Sequence, residues 1–173
     1  MADRPSTEWD ADQAVTHLFG AHYRPMVRLA SLLLHERGIA EEIVQDAYVR
    51  LHARWHTLRD PDKALAYLRV AVVNGCRSAL RHRRVVDAHL AASRPPADVP
   101  SAESGALDLL TQAAVVDAIR RLPTRQREAI VLRYYADLSE AEIAEAMGVS
   151  RGAVKSHAAR AVAALRPILE RLS

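Results

Sequence analysis

The chain has 173 residues, of which 50% are hydrophobic and 26% are charged, and its formal net charge is +3. This size accommodates one ordinary domain or two small ones, and the balance of apolar and charged residues is typical of a folded protein. The single cysteine, Cys76, excludes an intramolecular disulfide and a multi-cysteine zinc site, and its apolar surroundings predict a packing role. Because the sequence has no signal segment and no run of eighteen apolar residues, we expect a soluble cytoplasmic protein.

Apolar residues recur at three- and four-residue intervals in the first half of the chain, which predicts helices rather than strands. After a disordered segment over residues 1–11, a first helix is expected over Asp12–His35, ending near Gly38. A second helix is expected over Ala40–Trp55, and a third begins near Asp62, a candidate N-cap. The second helix carries an apolar stripe formed by Val44, Tyr48, Leu51 and Trp55.

The third predicted helix has two different faces. Its inward face is apolar and contains Leu65, Leu68, Val72, Cys76 and Ala79. Its outer face carries polar and basic residues at three- or four-residue intervals, one turn after Tyr67: Asn74, Arg77, Arg81 and Arg84. This outer face is one of two basic surfaces that the sequence predicts.

Residues 87–105 interrupt the helical period with three prolines, several serines and small residues, which predicts a flexible linker. After the linker we expect a helix over Leu107–Arg121, which Pro123 ends. Thr124 is then a candidate cap for a helix over Thr124–Ala136. The expected fold class is therefore all-α, with two small helical domains joined by the linker.

Two capped helices follow, separated by a turn centred on glycine. Ser139 and Glu142 have the spacing of a capping box, in which each side chain accepts a hydrogen bond from the other residue's amide. Gly148 stands where a helix commonly ends in a left-handed residue, and Ser150 is a fresh N-cap two residues later. This pattern predicts a helix-turn-helix, whose second helix can lie in the major groove of DNA.

The second of these helices, from Ser150 onward, also has two faces. Its apolar stripe is formed by Val154, Ala158, Ala161, Leu165 and Ile168. From Ser150 to the end of the chain five basic residues stand against Glu170 alone. A basic helix face by itself is more often an ordinary solvated face, but together with the two capped helices it indicates attraction to DNA phosphate. The candidate DNA-binding residues are Arg151, Lys155, Ser156, His157, Ala159 and Arg160.

The chain resembles the small extracytoplasmic-function class of bacterial RNA polymerase sigma factors, in the sigma-70 family. LPTRQREAIVLRYYADLSEAEIAEAMGVSRGAVKSHAARA, from Leu122, is similar to region 4, which recognises the −35 promoter element. AEEIVQDAYVRLHARW, Ala40–Trp55, is similar to region 2.2, and KALAYLRVAVVNGCRSALRHRR, Lys63–Arg84, resembles regions 2.3 and 2.4. The resemblance implies a region 2 domain over 12–86, a linker over 87–105 and a region 4 domain over 106–173.

The resemblance also implies a role for each surface. Core polymerase would be bound through its β′ clamp helices by Gln45, Asp46, Arg50 and Arg54, and region 4 would sit near the β flap. The −10 element would be read and melted by Trp55, His56, Arg59, Tyr67, Asn74, Arg77, Arg81 and Arg84. For Trp55 a structural role is an open alternative, because it completes the apolar stripe of its helix.

The expected protein is thus a monomer that binds core RNA polymerase and promoter DNA, with an anti-sigma factor as a candidate partner. No catalytic motif is present, so neither an enzyme nor a cofactor is expected. Two other classes stay open from the residues alone. One is a stand-alone helix-turn-helix regulator that binds an operator without polymerase, and the other is a helical adaptor that occupies polymerase without reading DNA.

Overall fold

The computed structural model describes residues 9–89 and 106–172, with side chains for 9–86 and 111–172. Regular structure in these ranges is entirely helical, with seven α-helices and two short 3-10 helices, which confirms the all-α prediction. The chain divides into two compact units, Met1–Ser93 and Arg94–Ser173, called here the N-terminal unit and the C-terminal unit. The division falls between the two helical halves expected from the sequence.

The N-terminal unit is built from three helices that pack against one another. Helix α1 spans Ala11–Leu34, α2 spans Arg37–Arg54 and α3 spans Ala64–His89, and 3-10 turns occupy Trp55–Thr57 and Pro61–Lys63. The apolar stripe predicted for α2 is buried throughout, as are Leu68, Val72 and Cys76 on α3. Leu65 and Ala79, predicted for the same face of α3, are half-buried. Periodicity therefore predicted the buried stripe of α2 and part of that of α3, but it did not identify the buried residues of α1.

The structure corrects both ends of α1. Helix α1 begins at Ala11, because Asp10 caps it and accepts a hydrogen bond from the Gln13 amide at 2.8 Å. Structure thus starts inside the segment 1–11 that was expected to be disordered, while residues 1–8 lie outside the described residues. The helix ends before a left-handed His35 rather than near Gly38, which lies in the first turn of α2.

The start and end of α3 also differ from expectation. Helix α3 begins at Ala64 rather than near Asp62, and Asp62 lies in the 3-10 turn Pro61–Lys63 before it. Asp60 caps this turn, since its carboxylate accepts a hydrogen bond from the Asp62 amide at 3.1 Å, and Pro61 holds the first position of the turn, where its missing N–H leaves no bond unmade. Helix α3 continues to His89, so the first three residues of the expected linker are helical, and 90–105 lie outside the described residues.

Helix α3 approaches α2 closely at Gly75. A Cβ atom built at this position would lie 2.6 Å from the Cγ2 atom of Ile43 on α2. Such a distance is a steric clash with a branched side chain that has little freedom to move. The absence of a side chain at Gly75 therefore sets the distance between these two helices.

The C-terminal unit contains α4, Ala106–Arg121; α5, Thr124–Tyr134; α6, Glu140–Met147; and α7, Arg151–Leu172. Helix α7 contacts each of the other three. One buried hydrophobic cluster of this unit is formed by Ala118, Leu122, Ile130, Ala161 and Leu165. Thr124 does not cap α5 as predicted: it is the first helical residue, and Pro123 occupies the N-cap position without a side-chain bond.

None of the helices in the described part of the chain combines the length and the apolar character needed to cross a bilayer.

Candidate nucleic-acid interface

The turn between α6 and α7 has the capping geometry predicted for a helix-turn-helix. Ser139 Oγ accepts a hydrogen bond from the Glu142 amide at 3.3 Å, and Glu142 Oε2 accepts one from the Ser139 amide at 2.8 Å. Gly148 ends α6 with φ of 63°, a conformation that costs glycine little. Ser150 Oγ then accepts from the Ala153 amide at 3.1 Å and caps α7.

Helix α7 buries the apolar stripe predicted for it and exposes its basic side. Val154, Ala158, Ala161 and Leu165 are buried, and Ile168 packs half-buried against the same cluster. Of the candidate DNA-binding residues, those that are exposed are Arg151, Lys155, Ser156, Ala159 and Arg160. His157 is half-buried at the edge of this face.

Helix α6 is fixed to α5 by a polar contact that the sequence did not predict. Glu128 is 2% exposed, and its Oε2 accepts a hydrogen bond from Arg125 Nη1 at 2.9 Å. The same Nη1 donates to the carbonyl of Met147, the last residue of α6, at 3.2 Å. A guanidinium at the C-terminal end of a helix also interacts favourably with the helix dipole.

Arg127 makes a second buried polar contact in this unit. Its side chain is buried, and Nη1 donates to the carbonyl of Arg120 at 2.9 Å and to that of Leu122 at 3.3 Å. These carbonyls stand at the end of α4, where the last C=O groups of a helix have no N–H partner within the helix. Arg127 therefore joins α5 to α4.

Two of the candidate DNA-binding cations are paired with Glu140, the first residue of α6. Glu140 Oε1 lies 3.4 Å from Arg151 Nε and 3.8 Å from Lys155 Nζ. Its other oxygen lies 3.7 Å from Arg133 Nη2 on α5. Neither Glu140 nor Arg133 was among the residues selected from the sequence, because a contact between separate helices leaves no local spacing signal.

The candidate polymerase-binding residues form an exposed face of α2. Gln45, Asp46, Arg50 and Arg54 are all exposed. Asp46 pairs with Arg50 at 2.7 Å, and Gln45 Nε2 donates to the hydroxyl of Tyr23 on α1 at 3.4 Å. Val49 lies among them with 66% of its surface exposed, so this face combines charged groups with an apolar side chain.

Trp55 is the −10 candidate for which a structural role stayed open. The side chain is 5% exposed, and Nε1 donates a hydrogen bond to the Trp9 carbonyl at 3.1 Å. This burial favours the structural role, in which the indole anchors the segment before α1. His56 and Arg59, in the loop that follows, are exposed.

The other −10 candidates lie on α3. Asn74, Arg81 and Arg84 are exposed, and Arg77 is half-buried. Tyr67 lines an open cavity of about 410 Å³ together with Arg50, Ala53 and Arg54 of α2. The structure thus brings Tyr67 next to two arginines that the resemblance assigned to polymerase binding.

Two stretches of the chain match known family descriptions: Sigma-70 region 2 over residues 18–85, and Sigma-70, region 4 over residues 112–165. The chain is 33% identical over 145 residues to the RNA polymerase sigma-E factor of Streptomyces avermitilis, covering 84% of this chain and 79% of that protein. It is 35% identical over 156 residues to the ECF RNA polymerase sigma factor SigM of Mycobacterium tuberculosis, covering 90% and 77%.

Solved structures with the same fold are also similar in sequence. One is the sigma factor RpoE from Bartonella quintana in complex with the anti-sigma factor NepR, with a TM-score of 0.74 and 26% identity, covering 92% of this chain and 96% of that one. Another is CnrH in complex with the cytosolic domain of CnrY, with a TM-score of 0.63 and 25% identity, covering 94% and 96%.

Proposed function

Because this chain belongs to the extracytoplasmic-function group of RNA polymerase sigma factors in the sigma-70 family, we propose that its two units read the two elements of one promoter. A sigma factor binds core RNA polymerase and directs transcription initiation at specific promoters. In this proposal the C-terminal unit reads the −35 element, and the N-terminal unit binds polymerase and opens the −10 element. The main observation that supports this proposal is that the basic side chains of α7 are exposed, and that the turn before α7 is capped on both sides.

In this proposal the N-terminal half of α7 recognises the −35 element. In a helix-turn-helix these residues enter the major groove, where Arg and Lys donate to guanine and to phosphate. Arg151 and Lys155 each have 70% of their side chain exposed, so both can reach DNA. Ser156, Ala159 and Arg160 share the exposed face, and His157 stands at its edge.

The polymerase contact in this proposal is the exposed face of α2, with Gln45 and Asp46 as its main residues. The exposed Val49 between charged side chains supports a protein contact, because such a surface combines apolar area with polar groups that fix orientation. The β′ clamp helices are the intended partner of this face. The C-terminal unit would sit near the β flap.

Opening of the −10 element is assigned to the loop after α2 and to α3. The cavity of about 410 Å³ is large enough for one nucleobase, and Tyr67 can stack on a base removed from the duplex. Arg50 and Arg54 at its wall supply charge for the adjacent phosphates. The exposed Arg81 and Arg84 would hold the DNA backbone along α3.

In this proposal the chain contributes no catalytic group, since RNA synthesis belongs to the polymerase. It acts as a monomer in the cytoplasm, together with that enzyme. An anti-sigma factor is a proposed further partner, because RpoE and CnrH were each solved in complex with a second protein, which for RpoE is an anti-sigma factor. Such a partner would compete with polymerase for the chain.

Run-off transcription with core polymerase and a library of random promoter sequences tests the proposal. The full chain should select templates that share two elements. Substituting Arg151, Lys155 and Arg160 together by alanine should reduce promoter use tenfold or more while binding to core polymerase persists, because each side chain that no longer binds a base costs roughly 1 to 3 kcal/mol. A chain that binds a palindromic site with nanomolar affinity and yields no transcript with polymerase is a stand-alone regulator. Unchanged activity in the triple variant indicates an adaptor instead.

A further inference from the structure

A single carboxylate faces three cations at the start of the helix-turn-helix. Glu140 lies within 3.8 Å of Arg151 and Lys155 on α7 and of Arg133 on α5. Individual ion pairs at a protein surface contribute little, but several charges in one network contribute more. Glu140 is therefore a shared partner for the cations on this face of the C-terminal unit.

Within this network, the carboxylate and the two cations of α7 differ in how far their side chains are exposed. The Glu140 side chain is 15% exposed, whereas Arg151 and Lys155 are each 70% exposed. The carboxylate also lies in the first turn of α6, where the helix dipole stabilises negative charge. The cations can thus turn away toward another anion, while the carboxylate stays in place.

A DNA phosphate would use the same donors that Glu140 now occupies. We propose that Glu140 acts as an internal competitor of DNA phosphate, restraining Arg151 and Lys155 and lowering the general affinity of the C-terminal unit for DNA. This inference deepens the proposed −35 function and rests on it. Its consequence is greater selectivity, since phosphate contacts supply sequence-independent affinity and only base contacts distinguish one site from another.

The change in DNA affinity on removal of Glu140 has opposite signs for the two roles that this residue could play. If Glu140 merely oriented the two cations toward DNA, its loss would weaken binding. If it competes with phosphate, its loss strengthens binding and makes it more dependent on salt, because each cation freed for a phosphate adds about one unit to the salt slope.

Fluorescence anisotropy with the full-length chain and a labelled non-specific DNA duplex, titrated at several salt concentrations, measures both quantities. Glu140→Gln should bind roughly three to ten times more tightly than the unsubstituted chain, with a salt slope steeper by about two units, one for each of Arg151 and Lys155. Glu145→Gln is the matched control, because it removes the same charge from an exposed residue near the other end of α6. It should change affinity by less than about twofold.

Equal or weaker binding by Glu140→Gln than by Glu145→Gln overturns the inference. Glu140→Ala, which keeps a good helix former, must show the same gain, so that a folding defect in one variant cannot decide the result. Arg160→Ala separates this inference from the proposed function. If Arg160→Ala leaves DNA binding unchanged, α7 is not the DNA surface and both fail. If it weakens binding and Glu140→Gln brings no gain, only the competitor role fails.

Discussion

The two units are stabilised in different ways. In the N-terminal unit, helices of 24, 18 and 26 residues supply long apolar stripes, and a glycine brings two of them close together. In the C-terminal unit α6 has only 8 residues, too few to be stable on its own apolar face. Besides its four buried apolar residues, it is held by a cap at each end and by Arg125, which bridges Glu128 and the Met147 carbonyl. A short helix that must be held in a fixed position for DNA thus depends on specific polar contacts, whereas the long helices depend on packed area.

The largest expected effect concerns the buried polar contact of the C-terminal unit. Glu128→Ala removes one of the two acceptors of Arg125 Nη1 and leaves a void where the buried side chain packed, and we expect a loss of about 3 kcal/mol in the free energy of unfolding from the lost charged hydrogen bond and the void together. Urea unfolding followed by ellipticity at 222 nm measures it. Glu145→Ala, at an exposed site on α6, is the control. A loss below about 0.5 kcal/mol for Glu128→Ala would contradict the role given to this contact.

The second effect concerns the close helix crossing of the N-terminal unit. Gly75→Ala places a methyl group against Ile43, and we expect a loss of about 2 kcal/mol in the free energy of unfolding. Both tryptophans, Trp9 and Trp55, belong to this unit, so tryptophan fluorescence during urea unfolding reports on it. Gly38→Ala is the control, because a Cβ atom there meets nothing within 4 Å. Equal stability of the two variants would show that the crossing tolerates a side chain.

A third prediction compares the contribution of a capping box to stability in the two units. Capping boxes begin both α1, at Asp10, and α6, at Ser139. We expect Ser139→Ala to cost about 1 kcal/mol and Asp10→Ala about half of that, because the long apolar stripe of α1 still fixes its first turn. Thermal unfolding of each variant measures the difference. A larger loss for Asp10→Ala would mean that helix length does not decide the importance of a cap.

The smallest effect is a pH dependence in the N-terminal unit. Burial raises the pKa of the Tyr48 phenol above its ordinary value, with a further contribution from Tyr23, and the hydroxyl donates to the Leu18 carbonyl at 3.0 Å. The neutral phenol is therefore favoured in the folded state, so its stabilisation is complete below the ordinary pKa of about 10 and is lost progressively as the pH rises from there through the higher pKa of the folded state.

At pH 10 the unsubstituted chain should have lost about 0.4 kcal/mol more of its free energy of unfolding, relative to pH 8, than Tyr48→Phe. Urea unfolding at both pH values measures this. The same loss in both chains would assign the alkaline instability to other groups.

Local signals in the sequence predicted the parts of the structure that depend on neighbouring residues. The capping box at Ser139, the left-handed Gly148 and the buried stripe of α7 follow from spacings of three or four residues, and all were confirmed. The start of the third helix was predicted less well: α3 begins at Ala64 rather than near Asp62, and Asp60 caps the short 3-10 turn that precedes it. His35, not the nearby glycine, adopts the left-handed conformation after α1.

Contacts between separate helices could not be predicted from the sequence. Arg127 has the charge of a surface residue and is nevertheless buried, because it donates to the Arg120 carbonyl on α4. Arg125 likewise reaches the Met147 carbonyl at the end of α6, a contact that no local spacing indicates. Glu140 meets its cations only once α5, α6 and α7 have packed together. For Trp55 the apolar stripe already allowed a structural role, but its hydrogen bond to the Trp9 carbonyl could not be predicted, because the two residues are far apart in the sequence.

Recognition of the −35 element by α7 is tested most directly by run-off transcription with core polymerase. Two templates are used: a promoter selected from the random library, and a copy of it whose −35 element is scrambled. If α7 reads this element, scrambling strongly reduces transcription by the unsubstituted chain, and the Arg151, Lys155 and Arg160 triple-alanine variant transcribes both templates equally weakly. If the triple variant still discriminates between the two templates as the unsubstituted chain does, α7 does not read the −35 element.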